Sequence, residues 1–436
     1  MNQRLYRKIL PNKMRVLMIP IESTDTVAIG IFIKVGSRYE NVNTCGIAHF
    51  LEHMMFKGTK HMHASTLSEK LDSVGAKYNA ETSHESTNYY IYGHKDDTEL
   101  FIKIISDLYL NPLFKEEDII IEKGVVIEEL NMVKDNPDEQ IHEFLFEHIF
   151  KNSSLKYPII GTKKNILSFD KKMISDFRKH FYVPERTVFV VSGNFNKNKI
   201  YKLIKKIFKN IKKSDSIITI PLLDPHVQIE PNMTIIKKNI AQTNLIISFK
   251  SHSIFSSNSD VYDLISDILS SGSSSRLFVL LRNKLGAVYF CNAYNMSFIY
   301  EGVFSIHIGA DNKRVDEVIK KTIEEISKMT KNGVTQSELD KAKKIRITSF
   351  AVGLQTPQDF MAYYGSQELI YHIDDIPEFK KDFDISVKCR IKDYELITLN
   401  TINKTINDLF SPENLNIFVY GRNPIKNNKK LSECLM

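Results

Sequence analysis

Two histidines four residues apart flank a glutamate in the stretch His49-Phe50-Leu51-Glu52-His53. On a helix this spacing sends both imidazoles out of one face, one turn apart, with the Glu52 carboxylate beside them. Two neutral imidazoles so placed can bind one divalent zinc ion and leave positions for a third protein ligand and a water. A carboxylate next to the ion can take a proton from that water and deliver it to a leaving amine. The residue types and their spacing point to metal-assisted hydrolysis.

A helix that presents such a face must be anchored by another. Ile47, Phe50, Leu51, Met54 and Met55 fall at i, i+3, i+4, i+7 and i+8, which makes a continuous core stripe. Asn43 or Thr44 can cap the start of this helix and Gly58 can end it. A third ligand is expected from a second helix. Residues 115–135 are charged and helix-like over a long run, and within them Glu122 and Glu129 stand two turns apart on one face. Glu128 points about a quarter turn away from Glu129 and is expected in solvent.

With these residues the chain resembles the M16 metallopeptidases, which include pitrilysin, insulin-degrading enzyme and mitochondrial processing peptidase. H-x-x-E-H is the inverted zincin signature. In length the chain is similar to the short-chain, processing-peptidase type. The resemblance implies one Zn²⁺ per chain, held by His49, His53 and Glu129, with Glu52 as general base. It makes Glu122 a carboxylate that orients one of the ligands. Residues 77–92 read as strand, turn and strand. In the family the strand at Asn79 and Ala80 is an edge strand that pairs with the substrate backbone. His84 reads as a polar turn residue rather than a fourth ligand. Phe56 either lines the pocket beyond the scissile bond or packs in the core. Arg282 and Tyr289 match a family Arg and Tyr that hold the substrate backbone and help stabilise the oxyanion; both can donate to a carbonyl becoming O⁻. The motifs concentrate at 36–59, 75–92, 122–137 and 270–289.

At 436 residues the chain is long enough for two or three domains with proper cores. Its 42% apolar and 25% charged content are ordinary for a soluble protein. The net charge of +7 is spread along the chain rather than gathered with aromatics on one element, which argues against a nucleic-acid partner. A short basic run at 426–430 reads as a solvated tail. Cys45, Cys291, Cys389 and Cys434 form no C-x-x-C pair, as expected in the cytoplasm or another reducing compartment. No apolar run is long enough for a membrane span. The basic start of the chain mimics a transit peptide, but the strand-like residues 14–19 follow at once and leave no room for a removable leader.

An internal repeat sets the organisation. Pro184, Glu185 and Gly193 recur as Pro412, Glu413 and Gly421 at one common offset, each set framing an apolar strand. Duplication follows, with the proline-containing stretch 219–233 as linker. The expected class is α+β: a zinc-binding domain at 1–218 and a homologous domain at 234–436 that carries Arg282 and Tyr289. Each is a mostly antiparallel sheet covered by helices, in the processing-peptidase manner. His142 to His148 is a decoy, because Phe144 stands where a repeated motif would start. Residues 276–282 read as a helix.

The expectation is a zinc metalloendopeptidase that cuts extended or unfolded peptides inside a closed chamber. Its partners would be the peptide substrate and a second copy of the chain, or a related subunit in a heterodimer. Two alternatives come from other classes. One is an inactive structural subunit, which the intact motif argues against. The other is a peptide-binding module, which would keep its affinity after Glu52→Gln and turn nothing over.

Overall fold

The computed structural model describes residues 4–213, 228–371 and 384–422. The tail at 426–430, Cys434 and residues 219–227 of the expected linker lie outside the described residues. The chain forms two α/β units, each built on an antiparallel-rich sheet.

The first sheet contains β1 (Tyr6–Ile9), β2 (Arg15–Pro20), β3 (Thr26–Ile33), β4 (Lys77–Thr82), β5 (Thr87–His94) and β6 (Thr187–Gly193). Their spatial order is β1-β2-β6-β3-β5-β4. The second contains β7 (Asn232–Lys237), β8 (Thr243–His252), β9 (Val288–Ser297), β10 (Glu301–Ala310) and β11 (Leu415–Gly421), in the order β7-β11-β8-β10-β9. The two strands of the sequence repeat occupy one topological slot. β6 lies between a parallel neighbour, β2, and an antiparallel one, β3. β11 lies likewise between β7 and β8. Each is entered by a single 3₁₀ turn, Pro184–Arg186 or Pro412–Asn414, because proline fixes the φ that such a turn needs.

β1 is a strand that the sequence did not announce. Its residues Tyr6-Arg7-Lys8-Ile9 are mostly exposed, so no apolar alternation marks it, and it is held by the ladder to β2 at the sheet edge. β3 is the opposite case. Seven of its eight residues are buried, as expected of a strand covered on both faces.

The first five α-helices in chain order are α1 (Ile47–Met55), α2 (Ala64–Ser73), α3 (Thr98–Leu110), α4 (Glu116–Asp135) and α5 (Pro137–Ile149). The compact units differ from the two halves of the chain in two places. α5 packs on β8 and β11, within the second unit. Helix Pro357–Tyr371 packs on β3 and β6, within the first. That helix presents Phe360, Met361, Tyr364, Gly365 and Leu369 inward. Gly365 lies so close to Phe32 that a Cβ would sit 2.4 Å from its ring. Glu368, fully buried on the same helix, takes the Arg7 Nε–H at 2.6 Å, and its backbone carbonyl takes the Arg15 guanidinium at 2.9 Å. No helix among the described residues is long and apolar enough to cross a membrane.

Candidate metal centre

α1 is short and carries its core stripe as the pattern requires: Ile47, Phe50, Leu51, Met54 and Met55 are all buried. His49 and His53 leave from the other face, with ring centroids 4.7 Å apart. The start of the helix differs from expectation. Neither Asn43 nor Thr44 caps it. The N-cap position is Gly46, in left-handed backbone with φ of 93°, and the Thr44 hydroxyl is spent on the N–H of Asn41. The helix ends at Phe56, three residues after His53 and two before Gly58.

α4 runs past this face and brings Glu129 to it. Glu129 Oε1 lies 3.6 Å from His49 Nε2, and Glu129 Oε2 lies 3.4 Å from His53 Nε2. One ligand atom from each of the three residues falls within 4.8 Å of the others, the one such group of three among the described residues. Four ligands at ordinary zinc distances around a tetrahedral ion stand roughly 3.3 Å from one another. The observed spacing therefore suits a zinc ion. The donor set does too, with two imidazole nitrogens and a carboxylate oxygen. Glu128 is exposed and outside the group.

The surrounding side chains fix the ligands. Glu122, on the same face of α4, places Oε1 2.8 Å from His53 Nδ1, and its other oxygen 2.5 Å from Lys57 Nζ. Burial works against charge on His53, but hydrogen bonds to Glu122 and Glu129 outweigh it and lift the imidazole to about 9. Burial also disfavours the charged forms of Glu122 and Glu129. For Glu122 the bonds to His53 and Lys57 overcome it and hold the carboxyl below the usual range. For Glu129 the hydrogen bond to His53 is the larger effect and does the same. His49 is the reverse: burial, then the neighbouring His53 charge, pulls it down to about 4. A neutral imidazole is the form that binds metal.

Glu52 lies on the same helix, and Thr82, the last residue of β4, donates its hydroxyl to Glu52 Oε2 at 2.5 Å. Burial raises Glu52 above the usual carboxylate range and the Thr82 bond only partly offsets this. The result is a carboxylate more avid for a proton. β4 is the edge of the first sheet and pairs with β5 alone. Asn79 on β4 is exposed and Ala80 half-buried. Phe56 is half-buried against Tyr78 and Tyr89, with centroids 6.1 and 6.0 Å away. His84 sits in the β4–β5 turn, where its Nδ1 meets the Ser37 hydroxyl at 2.8 Å, and it takes no part in the ligand group.

Arg282 and Tyr289 belong to the second unit. The segment expected as an ordinary helix is a π-helical turn, Phe278–Lys284, followed by Gly286 at φ of 61° and then by β9. The wider turn and the glycine reverse the chain sharply. Arg282 Nη1 then donates to the carbonyls of Val288 and Tyr289, at 2.8 and 2.9 Å. Its guanidinium braces the turn that leaves Tyr289 64% exposed.

Three contributors escaped the sequence reading. Lys57 follows His53 by one turn and could have been found by that spacing. Thr82 shares a face of β4 with Tyr78 and Ala80, by the alternation of a strand. Glu40, whose carboxyl accepts the Gly46 and Ala48 N–H groups at the start of α1, sits in the loop leading into that helix, six residues before Gly46 and outside the usual capping spacing.

Family models, curated relatives and solved structures match the chain. Residues 15–163 match the family model described as insulinase, peptidase family M16. Residues 168–346 match the model described as the peptidase M16 inactive domain, in keeping with a second half that has no H-x-x-E-H. A relative from Rickettsia bellii named "Uncharacterized zinc protease" is 33% identical over 82% of this chain and 85% of its own length. The Bacillus subtilis protein named "Uncharacterized zinc protease YmxG" is 30% identical over 82% of this chain and 87% of its own. Among solved structures, a protease from Helicobacter pylori superposes with a TM-score of 0.87 at 22% identity, covering 96% of this chain and all of that one. A structure from Pseudomonas fluorescens titled as a peptidase M16 inactive domain gives 0.85 at 15% identity, over 97% and 99% of the two chains. These two likenesses bear on the fold.

Proposed function

Because the chain belongs to peptidase family M16, we propose that it is a zinc-dependent endopeptidase acting on extended or unfolded peptides. The observation that carries the reading is the convergence of His49 Nε2 and His53 Nε2 on Glu129, with Glu52 on the same helix.

His49, His53 and Glu129 would hold the ion, with Glu122 fixing the proton on His53 Nδ1 so that Nε2 offers a lone pair. When bound, zinc supplies Lewis-acid activation of water and of the scissile carbonyl. Glu52 takes the proton from the attacking water and gives it to the departing amine, and Thr82 keeps that carboxylate aimed. The outer edge of β4 at Asn79 and Ala80 takes the substrate as an added strand. Main-chain pairing reads backbone, so sequence preference is loose and the substrate must be extended. Phe56, packed near Tyr78 and Tyr89, lines the pocket beyond the scissile bond.

Tyr289, aided by Arg282, donates to the carbonyl oxygen as it gains charge. The active form is a symmetric homodimer in which this pair reaches the zinc site of the second copy. The test is mass spectrometry of peptide mixtures incubated with the purified protein. Cleavage that stops with a chelator and returns with zinc is expected. Cleavage indifferent to chelator, or equal cleavage by Glu52→Gln, would overturn the reading.

A further inference from the structure

We propose that Glu40 is a positioning residue for the metal centre, acting as the N-cap of α1 from outside the helix. The first N–H groups of any helix have no partner within it, and a side chain at the N-cap normally accepts one. Here that position is closed to side chains. Gly46 has φ of 93°, and a Cβ on it would stand 2.7 Å from both Gly161 Cα and the Ile160 carbonyl oxygen. The backbone of Gly161 fills the place where a capping serine would sit.

Glu40 supplies the missing acceptors. Its Oε2 takes the Gly46 N–H at 2.7 Å and its Oε1 takes the Ala48 N–H at 2.8 Å. The residue is 4% exposed, so water cannot substitute. The loop that carries it is itself tied down. The Glu40 N–H donates to Ser37 O, and Asn165 Nδ2 holds the Val42 carbonyl at 2.9 Å. Burial pushes the Glu40 carboxyl up to about 8, and the N–H groups of Ala48 and Gly46 offset this only in part.

The consequence lies one residue on. Ala48 precedes His49, so the carboxyl fixes the height and rotation of the turn that presents the first ligand. α1 has only nine residues, and an unpinned first turn would fray through His49. Metal sites tolerate little such freedom, since ligand geometry must hold to within about 0.5 Å. Glu40 is not one of the three residues of the ligand group. Its influence on the metal rests on the zinc reading above, whereas its hold on α1 does not.

Glu40→Gln tests this with little change of shape. One acceptor becomes an NH₂ that must face a backbone N–H. Asn196→Ala is the control. Asn196 caps helix Lys197–Phe208 by accepting the Lys199 N–H, and that helix carries no ligand. Three measurements are made on both variants and wild type: thermal midpoint, zinc affinity by chelator competition, and amide hydrogen exchange over residues 46–50. Glu40→Gln should lose about 10-fold or more in zinc affinity, the scale of lost ligand support. It should also speed exchange at 46–50 whether or not zinc is present. Asn196→Ala, at a similar fall in thermal midpoint, should change neither. Wild-type exchange and wild-type zinc affinity in a folded Glu40→Gln would overturn the proposal, as would equal losses in the control. If wild type binds no zinc, the zinc reading fails, and the exchange data still decide whether Glu40 holds α1. Should Glu40→Gln not fold, Glu40→Asp, which keeps the carboxyl group but reaches one methylene less far, takes its place with the same expectations.

Discussion

His53 Nδ1 stands 2.8 Å from Glu122 Oε1, on the side of the ring opposite the nitrogen that faces Glu129. The pair decides which nitrogen keeps its proton when the imidazole, lifted to about 9, gives one up on binding metal. With Nδ1–H donated to a carboxylate, Nε2 is left as the lone pair aimed at the metal position. Lys57 holds the second Glu122 oxygen, so the carboxylate is fixed from both ends.

Glu122→Gln should therefore weaken zinc binding by roughly 10- to 100-fold, the range for partners that orient a ligand. Chelator competition measures it. An unchanged affinity would show that His53 needs no partner to select its tautomer.

Glu52 and Thr82 should separate chemistry from binding. Glu52→Gln should retain zinc and lose turnover by at least ~10²-fold, as for a general base. Thr82→Val should retain zinc and lower kcat about 10-fold, the worth of a hydrogen bond to a charged group. Metal content by mass spectrometry alongside steady-state kinetics distinguishes the two effects. Zinc lost from either variant would place that side chain among the supports of the ion.

Assembly is tested by complementation. Glu52→Gln and Tyr289→Phe are each expected to be inactive or nearly so. Mixed under conditions that allow exchange, a homodimer using Tyr289 across the interface regains part of the activity, because one of its sites pairs a wild-type motif with a wild-type tyrosine. A mixture that stays dead points to a site made within one chain. Full activity in a monomer at assay concentration would rule out the dimer.

Acid should loosen the second unit through Glu338. Burial opposes its charge, but hydrogen bonds from the Arg276 side chain, at 2.6 and 2.9 Å, and from the Thr335 N–H hold it down to about 2. A folded value depressed below the ordinary 4.5 gives stability that is present above pH 4.5. That stability is lost as pH falls from 4.5 toward 2. Glu338→Gln should flatten this part of the stability–pH curve and lower stability at neutral pH. Thermal midpoints from pH 2 to 7 measure it, and parallel curves for variant and wild type would refute the assignment.

The histidine spacing, the core stripe of α1 and the Pro-Glu-Gly repeat could be read from the chain because each is a local pattern. A helix or strand imposes its period on its own residues, so His49, Glu52 and His53 declare a shared face. The repeat likewise marked β6 and β11 before any pairing was known. Other features depended on residues far apart in sequence. β1 is a strand because β2 offers a ladder, and nothing in its polar residues says so. Helix Pro357–Tyr371 joins the first sheet because Phe32 and Gly365 fit against each other across a long stretch of chain. The distances from Glu129 to the two imidazoles follow from how α4 crosses α1, which no spacing encodes. Glu40 is the clearest case. Its sequence position is that of an ordinary loop acid. Only the close approach of Gly161, far along the chain, to Gly46 shuts out a cap at that position and leaves the carboxyl of the preceding loop to complete the helix.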